Sequence, residues 1–224
     1  MTFSIAARCA ETGQLGIAIS SSSIAVGARC PWLQAGVGAV SSQNITLPAL
    51  GPQILDQLEK GKQPQQAIDD VLSSQGYSQY RQVTAIDAEG NTAFFSGSKA
   101  LGTYHALAGK DCVVAGNMLA GKGVIEAMVE AFEQSSGQLP ERLIIAMQAG
   151  IAAGGEAGPV HSAAVKVVGD LVWPIVDLRV DGAEEDPIGQ LAGLWHSYQP
   201  QMEDYITRAI DPTRAPSYGV PGDE

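Results

Sequence analysis

The tightest constraint on how this chain can fold is an alternation that begins at its second residue. Phe3, Ile5 and Ala7 fall on one face and Thr2, Ser4 and Ala6 on the other, which is the two-residue period of a β-strand. Glu11-Thr12-Gly13-Gln14 supplies turn chemistry, and Leu15, Ile17 and Ile19 alternate again, so residues 2–20 read as a β-hairpin. The first residues are therefore expected inside a sheet.

The rest of the chain repeats a rhythm of strand clusters and helix pairs. Ile24 to Cys30 and Gly36 to Ser42 read as short strands, the second Gly-rich and small enough for another backbone to approach closely. A helical period follows: Ile54, Leu55 and Leu58 share one face, as do Ala67, Ile68 and Val71 after a break at Gly61 to Pro64. Val83 to Ile86 and Thr92 to Ser96 flank a Gly-containing turn as a second hairpin, and Cys112 to Gly116 is a short buried strand. Val124, Ile125, Met128, Val129 and Phe132 form one helical stripe, and Leu143, Ile144, Met147 and Ile151 another that starts near Leu139-Pro140-Glu141. His161 to Val168 and Val172 to Val180 make a third hairpin, and Ile188, Leu191, Trp195 and Tyr198 mark a final amphipathic helix, with Glu184-Glu185-Asp186 at its start.

Strands clustered as hairpins give antiparallel sheets, and the paired helices between them must bury their stripes on sheet faces. The expected class is α+β: a four-layer αββα sandwich of two stacked antiparallel sheets with helix pairs outside. The expected organisation is a domain over residues 1–182, a helical extension over 183–210 and a tail over 211–224. A doubly wound parallel sheet would need single crossover helices, and no GxGxxG turn follows a strand.

Composition narrows the function classes. A formal charge of −11, from 13 Lys plus Arg against 24 Asp plus Glu, gives no footprint for a phosphate backbone or an anionic membrane surface. No apolar run approaches the ~20 residues of a membrane span, and Met1-Thr2-Phe3-Ser4 lacks the basic and apolar regions of a signal peptide. A soluble, cytoplasmic protein is expected, with neither nucleic acid nor membrane as partner. Cys9, Cys30 and Cys112 lie far apart without CxxC spacing and read as buried free thiols, while His105, His161 and His196 lack metal-ligand spacing. No metal and no cofactor is expected. The stripe of Met128 and Phe132, and Trp195, read as core.

The usual nucleophile signatures, GxSxG, a Walker loop and HExxH, do not occur. What remains is Thr2, small enough for an aminopeptidase to expose. A free α-amine on the same residue titrates near ~7.7 to 8.0 and can accept the hydroxyl proton, so one residue supplies nucleophile and base. With Met1 attached that nitrogen is an amide and cannot do so. The plain alternative is a threonine that merely starts a strand.

Residues 1–8, Leu15 to Ser21, Ala25-Val26-Gly27-Ala28 with Pro31-Trp32, Ala35 to Val40 with Gln43, Ala115-Gly116-Asn117, Gly154-Gly155-Glu156 with Ser162-Ala163-Ala164, and Asp177 to Asp181 carry a family likeness. Together they resemble an uncharacterised family of unknown function (family 1028) that is itself similar to the N-terminal-nucleophile (Ntn) hydrolases, and more distantly to proteasome-type β subunits. The resemblance covers residues 2 to about 200 and implies the αββα fold with Thr2 as nucleophile on a small or peptide-like amide. It also implies that backbone amides near Ser41 to Asn44, with Ser42 among them, receive the oxyanion. Where proteasome-type subunits carry a lysine near the nucleophile, this chain has Ser22; Arg8 and Arg29 are the nearest cations in sequence.

Each remaining polar position has two readings. Ser20 to Ser23 either line a site or end a strand in solvent. Gln43 and Asn44 either donate to a substrate carbonyl or satisfy their own loop. Asn117 either bonds substrate or tolerates a left-handed turn. Glu156 and His161 supply substrate polarity or a proton relay, or belong only to their Gly-Pro loop. Two functions stay open: an Ntn-type amidohydrolase, or a non-catalytic fold of the same shape that binds a small metabolite or acts as an interaction module. The aromatic C-terminal helix suits a homo-oligomer or its own sheet.

Overall fold

The computed structural model describes residues 1–223. Along them run β1 (Thr2–Arg8), β2 (Leu15–Ser21), β3 (Pro31–Gln34), β4 (Gly38–Asn44), α1 (Leu50–Glu59), α2 (Pro64–Ser73), β5 (Arg81–Asp87), β6 (Thr92–Ser96), β7 (His105–Gly109) and β8 (Cys112–Asn117). There follow α3 (Gly123–Gln134), α4 (Leu139–Ala152), β9 (Ser162–Val168), β10 (Val176–Val180), α5 (Pro187–Tyr198) and α6 (Met202–Ile210). One sheet has the order β10-β9-β2-β1-β8-β7 and the other β3-β4-β5-β6. Every pairing is antiparallel.

The alternation of β1 sets the layers. Phe3, Ile5 and Ala7 enter the large core with Met128 and Phe132 of α3, Leu143 and Met147 of α4, and Leu191 and Trp195 of α5. On the other sheet, Val40, Val83 and Ala85 pack against Leu50 and Ile54 of α1 and Ile68 of α2. Helices thus cover both outer faces, and the two sheets meet on their inner ones: the αββα sandwich expected. Pro64 and Pro140 sit in the first turns of α2 and α4, where no intrahelical N–H is lost. Asp186 caps α5, its side chain accepting from the Gly189 N–H at 2.9 Å.

The layer between the sheets is divided. Toward the Arg8 end of β1 it is apolar, filled by Ala6, Leu15, Ile17, Ala39, Ile86 and Val113. Toward the Thr2 end the same strands turn polar side chains inward: Thr2, Ser4, Ser21, Ser41, Gln43, Gln82, Thr84 and Asn117, all buried. Burying this many polar groups is tolerated only if they bond one another.

Several local expectations change, among them the second strand of the third hairpin, which starts at Val176 and not at Val172. Residues 24–30 form no strand; Ala25 is left-handed (φ 57°), a single 3₁₀ turn spans Val26–Ala28, and the strand begins at Pro31. Gly27 explains the turn, since a Cβ there would meet the side chains of Ala164 and Arg179. Pro31 is accommodated because β3 is an edge strand and its missing N–H costs no ladder bond. β7 is an added edge strand, and the last helix is two, α5 and α6, parted at Gln199–Gln201 by Pro200. The close approach allowed by the Gly-rich strand is made by the neighbouring strand: a Cβ on Gly38 would lie 2.7 Å from the Ile86 carbonyl oxygen.

Candidate functional site

The polar end of the inter-sheet layer is a continuous hydrogen-bond network. Ser4 Oγ donates to Gln43 Oε1 at 2.7 Å, and Ser41 Oγ donates to the same oxygen at 3.1 Å. Gln43 Nε2 donates to Gln82 Oε1 (2.9 Å) and to the Ala115 carbonyl (3.1 Å). Gln82 Nε2 donates in turn to Ser96 Oγ and the Gly116 carbonyl, each at 3.0 Å, and Asn117 Nδ2 donates to Gln82 Oε1 at 3.1 Å. The two glutamines therefore bridge the sheets through β8. Asn117 Oδ1 and Thr84 Oγ1 are buried in the same region without a partner.

Thr2 lies at the rim of this network, 6% exposed. It pairs with Ser21 on one side and Asn117 on the other, so its backbone is held by β2 and β8. Its Oγ1 is 3.2 Å from Ser21 Oγ, and both hydroxyls donate to the carbonyl oxygen of Met1. Ser21 Oγ is itself fixed by accepting from the Ser23 N–H at 3.0 Å. The carbonyl of the Met1–Thr2 peptide bond is thus an acyl carbonyl with two hydroxyl donors on its oxygen, one of them the candidate nucleophile.

Glu156 reaches the same place from the loop after α4. Gly154 (φ 117°) and Gly155 (φ 58°) turn that loop back, and a bridge between Leu119 and Glu156 anchors it. Glu156 Oε2 accepts from the Ser22 N–H at 3.2 Å, whereas Oε1 is buried with no partner. Burial pushes its carboxyl up to about 7, against the opposing pull of the Met1 amine and of the Ser22 N–H and hydroxyl. The Met1 side chain rests on Gly158 of the same loop: a Cβ there would lie 2.9 Å from Met1 Cε.

The structure brings together Thr2, Ser22, Gln43, Asn117 and Glu156 of the residues expected at a site. Ser42 and Asn44 face away from Thr2. On β4 the inward residues are Ala39, Ser41 and Gln43; Ser42 Oγ instead donates to the Leu47 carbonyl at 3.0 Å. Asn44 Nδ2 donates to the Tyr80 carbonyl at 2.6 Å, and its Oδ1 accepts from the Leu101 N–H at 3.2 Å. The Ser42 N–H is given to the Cys30 carbonyl at 3.0 Å, so it is not free for an oxyanion. Asn117 is an extended strand residue, and the left-handed conformation falls on Met118 (φ 49°). His161 ties backbones: its N–H donates to the Ser21 carbonyl (2.8 Å) and its Nδ1 lies 2.9 Å from the Ala183 carbonyl. Arg8 sits at the far end of β1 on Asp111, and exposed Arg29 donates to the Ile24 carbonyl. Of the run Ser20 to Ser23 the side chain that meets Thr2 is that of Ser21, whereas the sequence singles out Ser22. Counting back from the turn at Glu11–Gln14 pairs Ser21 with Thr2.

A cleft of about 510 Å³ lies at the other end of β1, lined by Arg8, Asp111, Lys110, Glu133 and Arg142. It shares no residue with the network.

Two antiparallel sheets stacked between helix layers, with a hydroxyl residue opening the central strand β1 onto the inter-sheet layer, define an Ntn-hydrolase-like fold. The chain belongs to the family of unknown function DUF1028, whose model matches residues 2–191. It is similar to the crystal structure of protein SPO2555 from Silicibacter pomeroyi, of the same family. That match has 32% identity and a TM-score of 0.85, over 91% of this chain and 89% of that one. Much weaker likenesses are to Anbu, an ancestral β-subunit, from Yersinia bercovieri (11% identity, TM-score 0.41, 90% and 96% covered) and from Hyphomicrobium sp. strain MC1 in a Gly-1 mutant form (12%, 0.44, 90% and 96%). These are too remote to inform the site. No curated protein matches the chain. Among the described residues, no helix is long and apolar enough to cross a membrane.

Proposed function

We propose that the chain is an N-terminal-nucleophile amidohydrolase, acting on a small or peptide-like amide once cleavage of the Met1–Thr2 bond frees the Thr2 amine. Thr2 Oγ1 attacks the amide carbon while the α-amine accepts the hydroxyl proton, which then passes to the leaving nitrogen as the C–N bond breaks. The resulting threonyl ester is cleaved by a water that gives its proton to the same amine, and the hydroxyl is restored. Ser21 Oγ donates to the oxygen that carries the developing charge.

The observation that carries this reading is the convergence of the Thr2 and Ser21 hydroxyls on the carbonyl oxygen attached to the Thr2 nitrogen. That carbonyl stands in for the scissile carbonyl of a substrate. The test is intact mass of the chain from its own cells, followed by labelling with an amide-like electrophile such as a β-lactone. A mass lacking Met1, with a label lost in Thr2→Ala, is expected. A retained Met1, or undiminished labelling of Thr2→Ala, overturns the reading and leaves a non-catalytic small-metabolite binder or interaction module.

A further inference from the structure

We infer that the space held by residue 1 is a subsite for an acyl group carrying a free α-amine, so that the preferred substrates are α-aminoacyl amides. This rests on Thr2 being the nucleophile, and it names what the nucleophile is offered.

Three sides of that space are defined. At the carbonyl end stands Ser21 Oγ, already bonded to the Met1 oxygen. Along the side chain lies Gly158, whose missing Cβ leaves room for the methionine thioether; a methyl there would come within 2.9 Å of Cε and 3.6 Å of Sδ. Two residues before Gly158 in the same loop lies Glu156, 6% exposed, with one oxygen on the Ser22 N–H and the other unpartnered. Among the described residues no Lys, Arg or His, and not the amine of Met1, forms an ion pair with it.

A buried carboxylate oxygen without a donor is costly, and a purely structural carboxylate would have both oxygens paired. The positive nitrogen of residue 1 opposes the effect of burial on this carboxyl without bonding to it, so Oε1 stays open to a donor placed nearer. When residue 1 leaves, an incoming acyl group with its carbonyl on Ser21 Oγ and its side chain on Gly158 presents its own α-amine to Glu156. An acylated amine has no such charge to offer.

The test uses the chain prepared with Thr2 as its first residue, assayed on L-methionine p-nitroanilide and N-acetyl-L-methionine p-nitroanilide. A charged hydrogen bond in a buried site predicts a preference in kcat/KM of about 10- to 100-fold for the free amine. Glu156→Gln, checked for folding by thermal unfolding, is expected to bring that ratio to within about twofold, mainly through KM. Gly158→Ala is expected to shift preference from methionyl toward glycyl substrates. Equal turnover of the two methionyl substrates by the unmodified chain overturns the inference while leaving the hydrolase standing. So does a Glu156→Gln variant that slows both alike, because the carboxylate then serves only the Thr2 amine. If no amide is hydrolysed, the hydrolase reading fails, and calorimetry with L-methioninamide and its N-acetyl form decides the subsite alone. Glu156-dependent preference for the free amine upholds it; equal or absent binding overturns it.

Discussion

At the scale of the residue, the burial of Glu156 makes the stability of the fold depend on pH. Its folded-state carboxyl stands near 7 because burial disfavours the ionised form, while the unfolded chain returns it to the ordinary value of ~4.3. The folded chain therefore binds this proton more tightly than the unfolded one. Its contribution to stability is full below the ordinary carboxylate pKa, falls as pH rises through roughly 4.5 to 7, and is flat above. In the chain that keeps Met1, Glu156→Gln is expected to remove that fall and to be more stable than the parent at pH 8 by on the order of 3 kcal/mol at most. Urea unfolding across pH 4.5 to 8 reads this directly; parallel pH profiles for the two chains would mean the carboxylate is satisfied when charged.

At the scale of the element, β4 shows what alternation reveals and what it conceals. Gln43 is the hub of the buried network, and Gln43→Leu removes the oxygen that Ser4 and Ser41 share and one donor each from Gln82 Oε1 and the Ala115 carbonyl. A loss of about 3 kcal/mol is expected, against about 1 kcal/mol for Ser42→Ala, which gives up a single bond to Leu47. Chemical denaturation compares them, and equal costs would mean that the network has no hub. In sequence, Ser41-Ser42-Gln43-Asn44 is polar on both faces, so nothing local told which face turns inward. β1 and β2 were legible because their apolar residues alternate with polar or small ones around an evident turn. The run from Ile24 to Cys30 misled because apolar residues that close a tight turn over β9 look like a strand. β7, His105-Ala106-Leu107-Ala108-Gly109, has too few large side chains to show a period.

At the scale of the whole molecule, the order of hairpins and helix pairs fixed the sandwich, because each helix stripe had only a sheet face to cover. The sequence presents the C-terminal helices as an extension beyond residue 182, yet Ile188, Leu191, Trp195 and Met202 lie in the same core as Phe3 and Phe132. Ending the chain at residue 182 is expected to abolish cooperative thermal unfolding, whereas ending it at residue 210 lowers the Tm by only a few degrees, about what a loss near 1 kcal/mol produces. Residues 211–223 contribute no buried side chain. Folding of the shorter form would show that these helices lie on the domain without supporting it.

The oily half of the inter-sheet layer joins the two sheets as a spine joins the covers of a book, and Thr2 sits at the fore-edge. A ligand entering between the sheets beside that threonine has to part the ties of Gln43 and Gln82 to the Ala115 and Gly116 carbonyls. Swapping the inward side chains along the fore-edge therefore changes what is admitted, and a swap at Gln43 or Gln82 also undoes a clasp between the covers.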